Sequence, residues 1–98
     1  MFFRDLRKEL GRVREEVGAS IRNDNPSIEI RSAMIMATTW LGVIETRIRK
    51  TRNLQERRKL IHEFQSRTKT IDKVLRMLRG AGAKDNPLAQ QELRRVLP

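Results

Sequence analysis

Apolar residues in this chain recur every three or four positions and almost never every two. Phe3, Leu6, Leu10, Val13, Val17 and Ile21 follow one another at spacings of 3, 4, 3, 4 and 4. That spacing gathers side chains onto one face of an α-helix. Nowhere do aromatic and β-branched residues alternate with polar ones for long, and Tyr is absent, so strands are not expected. The pattern predicts an all-α chain of four helices, the first over residues 2–22.

Asn23-Asp24-Asn25-Pro26-Ser27 interrupts that first stripe. Asp or Asn is expected to cap the next helix, with Pro26 in its first turn, where a missing N–H has no partner to lose. The second helix is expected over 26–50. Ile30, Met34, Ala37, Leu41, Ile44 and Ile48 form one stripe, and Met36, Trp40 and Val43 form a second beside it. Ile28 and Ile35 add further apolar surface. A helix apolar around so much of its circumference needs more than one neighbour, and in a chain this short a second copy is the expected source.

Lys50-Thr51-Arg52-Asn53 holds no Gly or Pro, so a single rod from 26 to 79 is the alternative, and the phase argues against it. From Ile48 to Ile61 is 13 residues, which turns the stripe by about 220° and aims the two apolar faces apart. A turn at 51–53 restores a common core, and Asn53 followed by Glu56 resembles a capping box. The third helix is expected over 54–79. Leu54, Ile61, Thr68 and Leu75 repeat every seven residues, as do Arg57, Phe64, Ile71 and Leu78, a heptad seam of about three and a half repeats. Gly80-Ala81-Gly82 ends it. Asp85-Asn86-Pro87 then opens a short helix over 87–97, with Leu88, Leu93, Val96 and Leu97 as its apolar face. The expected organisation is a bundle domain over 1–80, carrying a basic face on 47–79, followed by a Gly-containing linker and short C-terminal helix over 81–98. A helical hairpin of two long helices, flanked by an N-terminal and a C-terminal helix, is expected to form a dimeric bundle. Met34, Met36, Trp40, Leu41, Ile44, Ile61 and Phe64 are its core and dimer-contact residues.

At 98 residues the chain is near the small end for a self-sufficient core, where oligomerisation is a common remedy. Cys is absent, which excludes disulfides, thiolate metal sites and a cysteine nucleophile and fits a reducing, intracellular, cytoplasmic setting. The longest apolar run, Ala33 to Ala37, is far short of a bilayer span. Met1-Phe2-Phe3-Arg4-Asp5 lacks the basic-then-apolar order of a signal peptide.

Charge is distributed unevenly. Residues 47–79 hold twelve bases and three acids, a net of +9 out of +10 for the chain, whereas residues 24–46 have a net of −2. Arg58, His62, Gln65, Lys69 and Arg76 lie on one helical stripe, flanked by Ser66 and Lys73, with Asp72 the acid within it. Arg58 and Arg76 are 18 residues apart, about 27 Å along the axis. A row of donors that long suits the repeating phosphates of a polymer and is oversized for one small anion. Arg47, Arg49, Arg52, Arg58, Lys59, Lys69, Lys73 and Arg76 are the candidate phosphate contacts. Helix-turn-helix, zinc-finger and RNP signatures are absent. Trp40 and Phe64 fall on apolar stripes rather than on stacking platforms, which disfavours single strands. Duplex backbone binding remains, with double-stranded RNA preferred over DNA.

A small, basic, all-helical chain with a long helical hairpin and an expected self-paired bundle resembles the nodavirus suppressors of RNA silencing. The resemblance covers roughly residues 1–79 and rests on architecture and charge placement, with no shared motif and therefore no transferred residue roles. It implies a dimeric four-helix bundle that lays one face along double-stranded RNA and shields it from dicing, in the host cytoplasm if viral.

Catalytic chemistry is not expected. His62-Glu63 begins like H-E-x-x-H, but position 66 is Ser66, so the zinc-protease pair is incomplete. Glu9, Glu15 and Glu16 are read as surface partners for Arg12 or Lys8 at helical spacing. No cofactor, metal, small-molecule substrate or membrane partner is expected. The competing reading is a small homo-oligomeric adaptor that engages proteins through Met34, Met36, Trp40 and Val43.

Overall fold

The computed structural model describes residues 5–81 and 86–98, and all its regular elements there are helices: α1 (Asp5–Asn23), α2 (Ile28–Lys50), α3 (Leu54–Leu78) and α4 (Pro87–Arg94). The expected stripes are the core. Leu6, Leu10, Val13 and Val17 of α1 are buried, with Ile21 packed at the margin; Phe3 lies outside the described residues. All six members of the main α2 stripe are buried, and so are Ile61, Phe64, Thr68, Ile71, Leu75 and Leu78 of the α3 seam. Leu54, the first seam position, is exposed at the helix start. Thr68 satisfies its hydroxyl within the helix by donating to the Phe64 carbonyl at 2.9 Å.

Caps punctuate the helices, with one correction. Ser27, not Asp24 or Asn25, caps α2 by accepting from the Ile30 N–H at 3.3 Å. Pro26 therefore precedes the cap instead of sitting in the first turn. Asp24 serves the loop: it accepts from the Ser20 hydroxyl at 2.9 Å and from the Gly80 N–H at 3.4 Å, joining the end of α1 to the end of α3. The break at 51–53 is as expected, with Asn53 accepting from the Glu56 N–H at 3.0 Å. Gly80 takes φ +73° after α3, a left-handed conformation that glycine adopts without steric cost. Asn86 caps α4, with Pro87 in the first turn.

The four helices do not form a square. The hairpin of α2 and α3 is the spine; α1 packs against both, α4 packs against both, and α1 and α4 do not meet among the described residues. α1 and α4 therefore fill opposite grooves of the hairpin, and the cross-section is a diamond with α2 and α3 at opposite corners. The outer faces of α2 and α3 look away from each other. Two further details differ from expectation. α4 ends at Arg94, short of the expected 97, and docks through Ala89 and Leu93, with Val96 buried in the turn that follows; Leu88, expected on the apolar face, is 65% exposed. The second α2 stripe is not internal: Trp40 is half-buried, but Met36 and Val43 are exposed, as are Ile28 and Ile35.

Candidate nucleic-acid interface

The buried arc of α3 faces α2, so its opposite arc is solvent-facing by default. Arg58, His62, Ser66, Lys69, Lys73 and Arg76 are all exposed there, with Gln65 half-buried and Lys59 at one edge. At 100° per residue this set spans roughly 120° of the circumference. The row is continuous along the helix because α1 and α4 flank α3 without covering it.

Electrostatics at the margins decide how much of that charge is available. Asp72, the acid inside the stripe, makes its ion pair on the α1 side of the row: both its oxygens accept from Arg12 of α1, at 3.2 and 3.1 Å. The same guanidinium binds Glu9 at 2.7 Å and Glu16 at 2.9 Å. Three carboxylates thus converge on one cation at the α1 edge of the cationic face. The Arg12 guanidinium is held firmly protonated by its hydrogen bonds to Glu9 and Asp72. Its hydrogen bond to Glu9 holds that carboxyl below the usual range, against the opposing effect of partial burial. Glu63, at the other edge, is occupied by Arg67 at 2.9 Å. Lys73 pairs with Glu92 of α4 at 3.3 Å while remaining mostly exposed. Arg58, Lys59, Lys69 and Arg76 carry no ion pair among the described residues.

The eight candidate contacts therefore separate. Arg58, Lys59, Lys69, Lys73 and Arg76 share the outward arc of α3, and Arg52 is exposed in the turn before its N-terminus. Arg47 and Arg49 do not join them. Arg47 lies over the Trp40 ring, 5.2 Å from its centroid, with Arg67 at 5.9 Å from the same ring. Arg49, about 200° further around α2, is bound to the buried Glu45 at 2.8 Å. Two guanidiniums thus lie against one half-buried indole, where a base would have to compete with them.

A second cationic feature was not legible in the sequence. α1, the C-terminal half of α2 and the start of α3 border an open groove of about 780 Å³ lined by Arg7, Arg14, Arg47, Arg49 and Lys50 together with Glu45 and Glu56. Gly42 makes room for it, since a Cβ there would approach Arg14 Nη2 to 2.9 Å. A glycine inside an otherwise strong helix was the available signal. Only the packing angle of α1 shows which side chain uses the space.

No family model matches the chain, and no curated protein or solved structure does either. Among the described residues no helix is long and apolar enough to cross a membrane, and no cluster of His, Asp and Glu could hold a metal ion.

Proposed function

We propose that the protein binds double-stranded RNA through the outward arc of α3, by phosphate and 2′-hydroxyl contacts without sequence preference, and acts as a homodimer. The observation that carries this reading is the cationic row Arg58, Lys59, Lys69 and Arg76, exposed and without an ion pair among the described residues, while the adjacent carboxylates Asp72, Glu9 and Glu16 are held by Arg12. A rigid helix spaces such donors along about 27 Å, a length suited to a polymer backbone. Shielding duplex RNA from processing, as in the nodavirus suppressors that the chain resembles, is the activity this binding would serve.

The test is a fluorescence-polarisation titration of a short RNA duplex at several salt concentrations. With five or six phosphate contacts, log K falls against log salt with a slope of roughly −4.5 to −5.5. Replacing Lys69 and Arg76 by Gln reduces the slope by about 2. Absence of binding below about 100 μM at low salt overturns the reading.

A further inference from the structure

The outer face of α2 is the anomaly of this molecule. Over a third of the chain is charged, yet Ile28, Ile35, Met36, Thr39, Val43 and Thr46 make up an uncharged outer strip, whose C-terminal half (Thr39, Val43 and Thr46) also lines the α1 groove beside Arg7, Arg14 and Lys50. The large members are 72%, 49%, 50% and 37% exposed for Ile28, Ile35, Met36 and Val43. Outside α2 only Leu54 and Leu88 are comparably exposed among the described residues. A contiguous apolar strip of this kind marks an interaction surface, and Thr39 and Thr46 keep it flat enough for another helix to approach closely.

The charges at its border select the occupant. Glu29 and Arg47 are 18 residues apart, five whole turns, so both stand on the same edge of the strip. A second copy laid antiparallel, with its two-fold axis near Thr38 and Thr39, places Glu29 of each chain beside Arg47 of the other. A parallel pair, related by a two-fold along the helices, sets this edge of one chain against the opposite edge of the other and so brings Glu29 to neither Arg47 nor its own copy. The strongly cationic α3 faces are on the far side of each molecule. Two molecular thicknesses, each 18–22 Å, separate those faces, well beyond the Debye length of about 10 Å at 0.1 M salt.

We propose that two copies pair antiparallel through the outer face of α2, and that the dimer, carrying its two cationic α3 faces on opposite sides, bridges two duplexes instead of clasping one. The second half of this statement rests on the nucleic-acid reading above; the first does not.

Sedimentation velocity of the full chain gives twice the monomer mass, and Val43→Asp, at an exposed position, gives a monomer with unchanged helical circular dichroism. Glu29→Arg and Arg47→Glu each weaken the dimer. The double variant, whose net charge equals that of the parent, restores it. The absence of Cys allows a geometric check. Thr39→Cys, near the axis, oxidises to a covalent dimer. Ser32→Cys does not, because antiparallel pairing sets the two Ser32 positions about 18 Å apart along the axis, beyond disulfide reach. A monomeric parent, failed rescue in the double variant, or cross-linking through Ser32→Cys overturns the pairing. For bridging, an immobilised duplex retains a second, fluorescent duplex in the presence of the parent but not of Val43→Asp. Single-duplex binding by a dimer without such retention overturns bridging. A dimer that binds no duplex at all removes the function proposed for α3 and leaves the pairing standing.

Discussion

α2 and α3 are neighbours of similar length, each with one face buried in the same core, and they present opposite chemistry to solvent. The outside of α3 is a row of cations. The outside of α2, between Glu29 and Arg47, carries no charge. Both helices obey the same periodicity, so the difference lies entirely in what fills the positions left over once the core is satisfied. Long charged side chains keep a helix surface hydrated and available to polyanions. Short β-branched and thioether side chains leave a surface that water covers at a free-energy cost. The two faces of one hairpin therefore offer different chemistry, one suited to the proposed polymer ligand and the other to the proposed second copy of the same chain.

Several measurements can break or sharpen that contrast. The largest effect is expected on the inner faces, where the two helices should behave alike. Phe64→Ala and Leu41→Ala, both fully buried, should lose about 3–5 and 2–5 kcal/mol of unfolding free energy in urea titrations. Met36→Ala on the outer face of α2 should lose far less in the monomer, and equal losses at Leu41 and Met36 would erase the inner–outer distinction.

Arg12→Ala comes next. It releases Glu9, Glu16 and Asp72 at the α3 edge, and exposed pairs of this kind contribute at most about 1 kcal/mol each. The greater consequence should be weaker duplex binding at low salt, read by polarisation, since three freed carboxylates then border the cationic row. Unchanged affinity would show that they never threatened it.

Ser27→Ala and Asn53→Ala remove the N-caps of α2 and α3 respectively and should each cost about 1 kcal/mol. Thermal melts that move for one and not the other would show that the two helices differ in more than their outer faces.

The smallest effect concerns pH. Glu9 has its carboxyl held below the ordinary value of 4.5 by Arg12, so its contribution is present above that value and fades as the pH falls through the lowered one. Stability should therefore decline on acidification below about 4.5, and Glu9→Gln should flatten part of that decline in pH-resolved melts. A steeper decline in the variant would contradict the assignment.

Much of this architecture is readable from spacing. The three- and four-residue steps of the α1 stripe, the phase break between Ile48 and Ile61, and the Gly80 stop are local properties of a 3.6-residue helix, and they place all four elements to within a few residues. The cap of α2 was misread because Asp, Asn and Ser compete within five positions, and the winner depends on where the loop must join α3 through Asp24 and Gly80. The candidate site was legible on α3 alone. Arg47 and Arg49 look alike in sequence, yet a neighbouring indole and a buried carboxylate engage them on different sides of α2.

By itself, then, the order of residues determined the four helices among the described residues, which stripes are apolar, and that the cations gather downstream of residue 46. The tertiary structure decided which of the two α2 stripes is covered, which carboxylates Arg12 withdraws from the cationic row, and that the two specialised faces point apart. The physical reason is range. Helical periodicity is set by bonds four residues long, whereas coverage and pairing depend on the angles at which α1 and α4 settle into the two grooves of the hairpin.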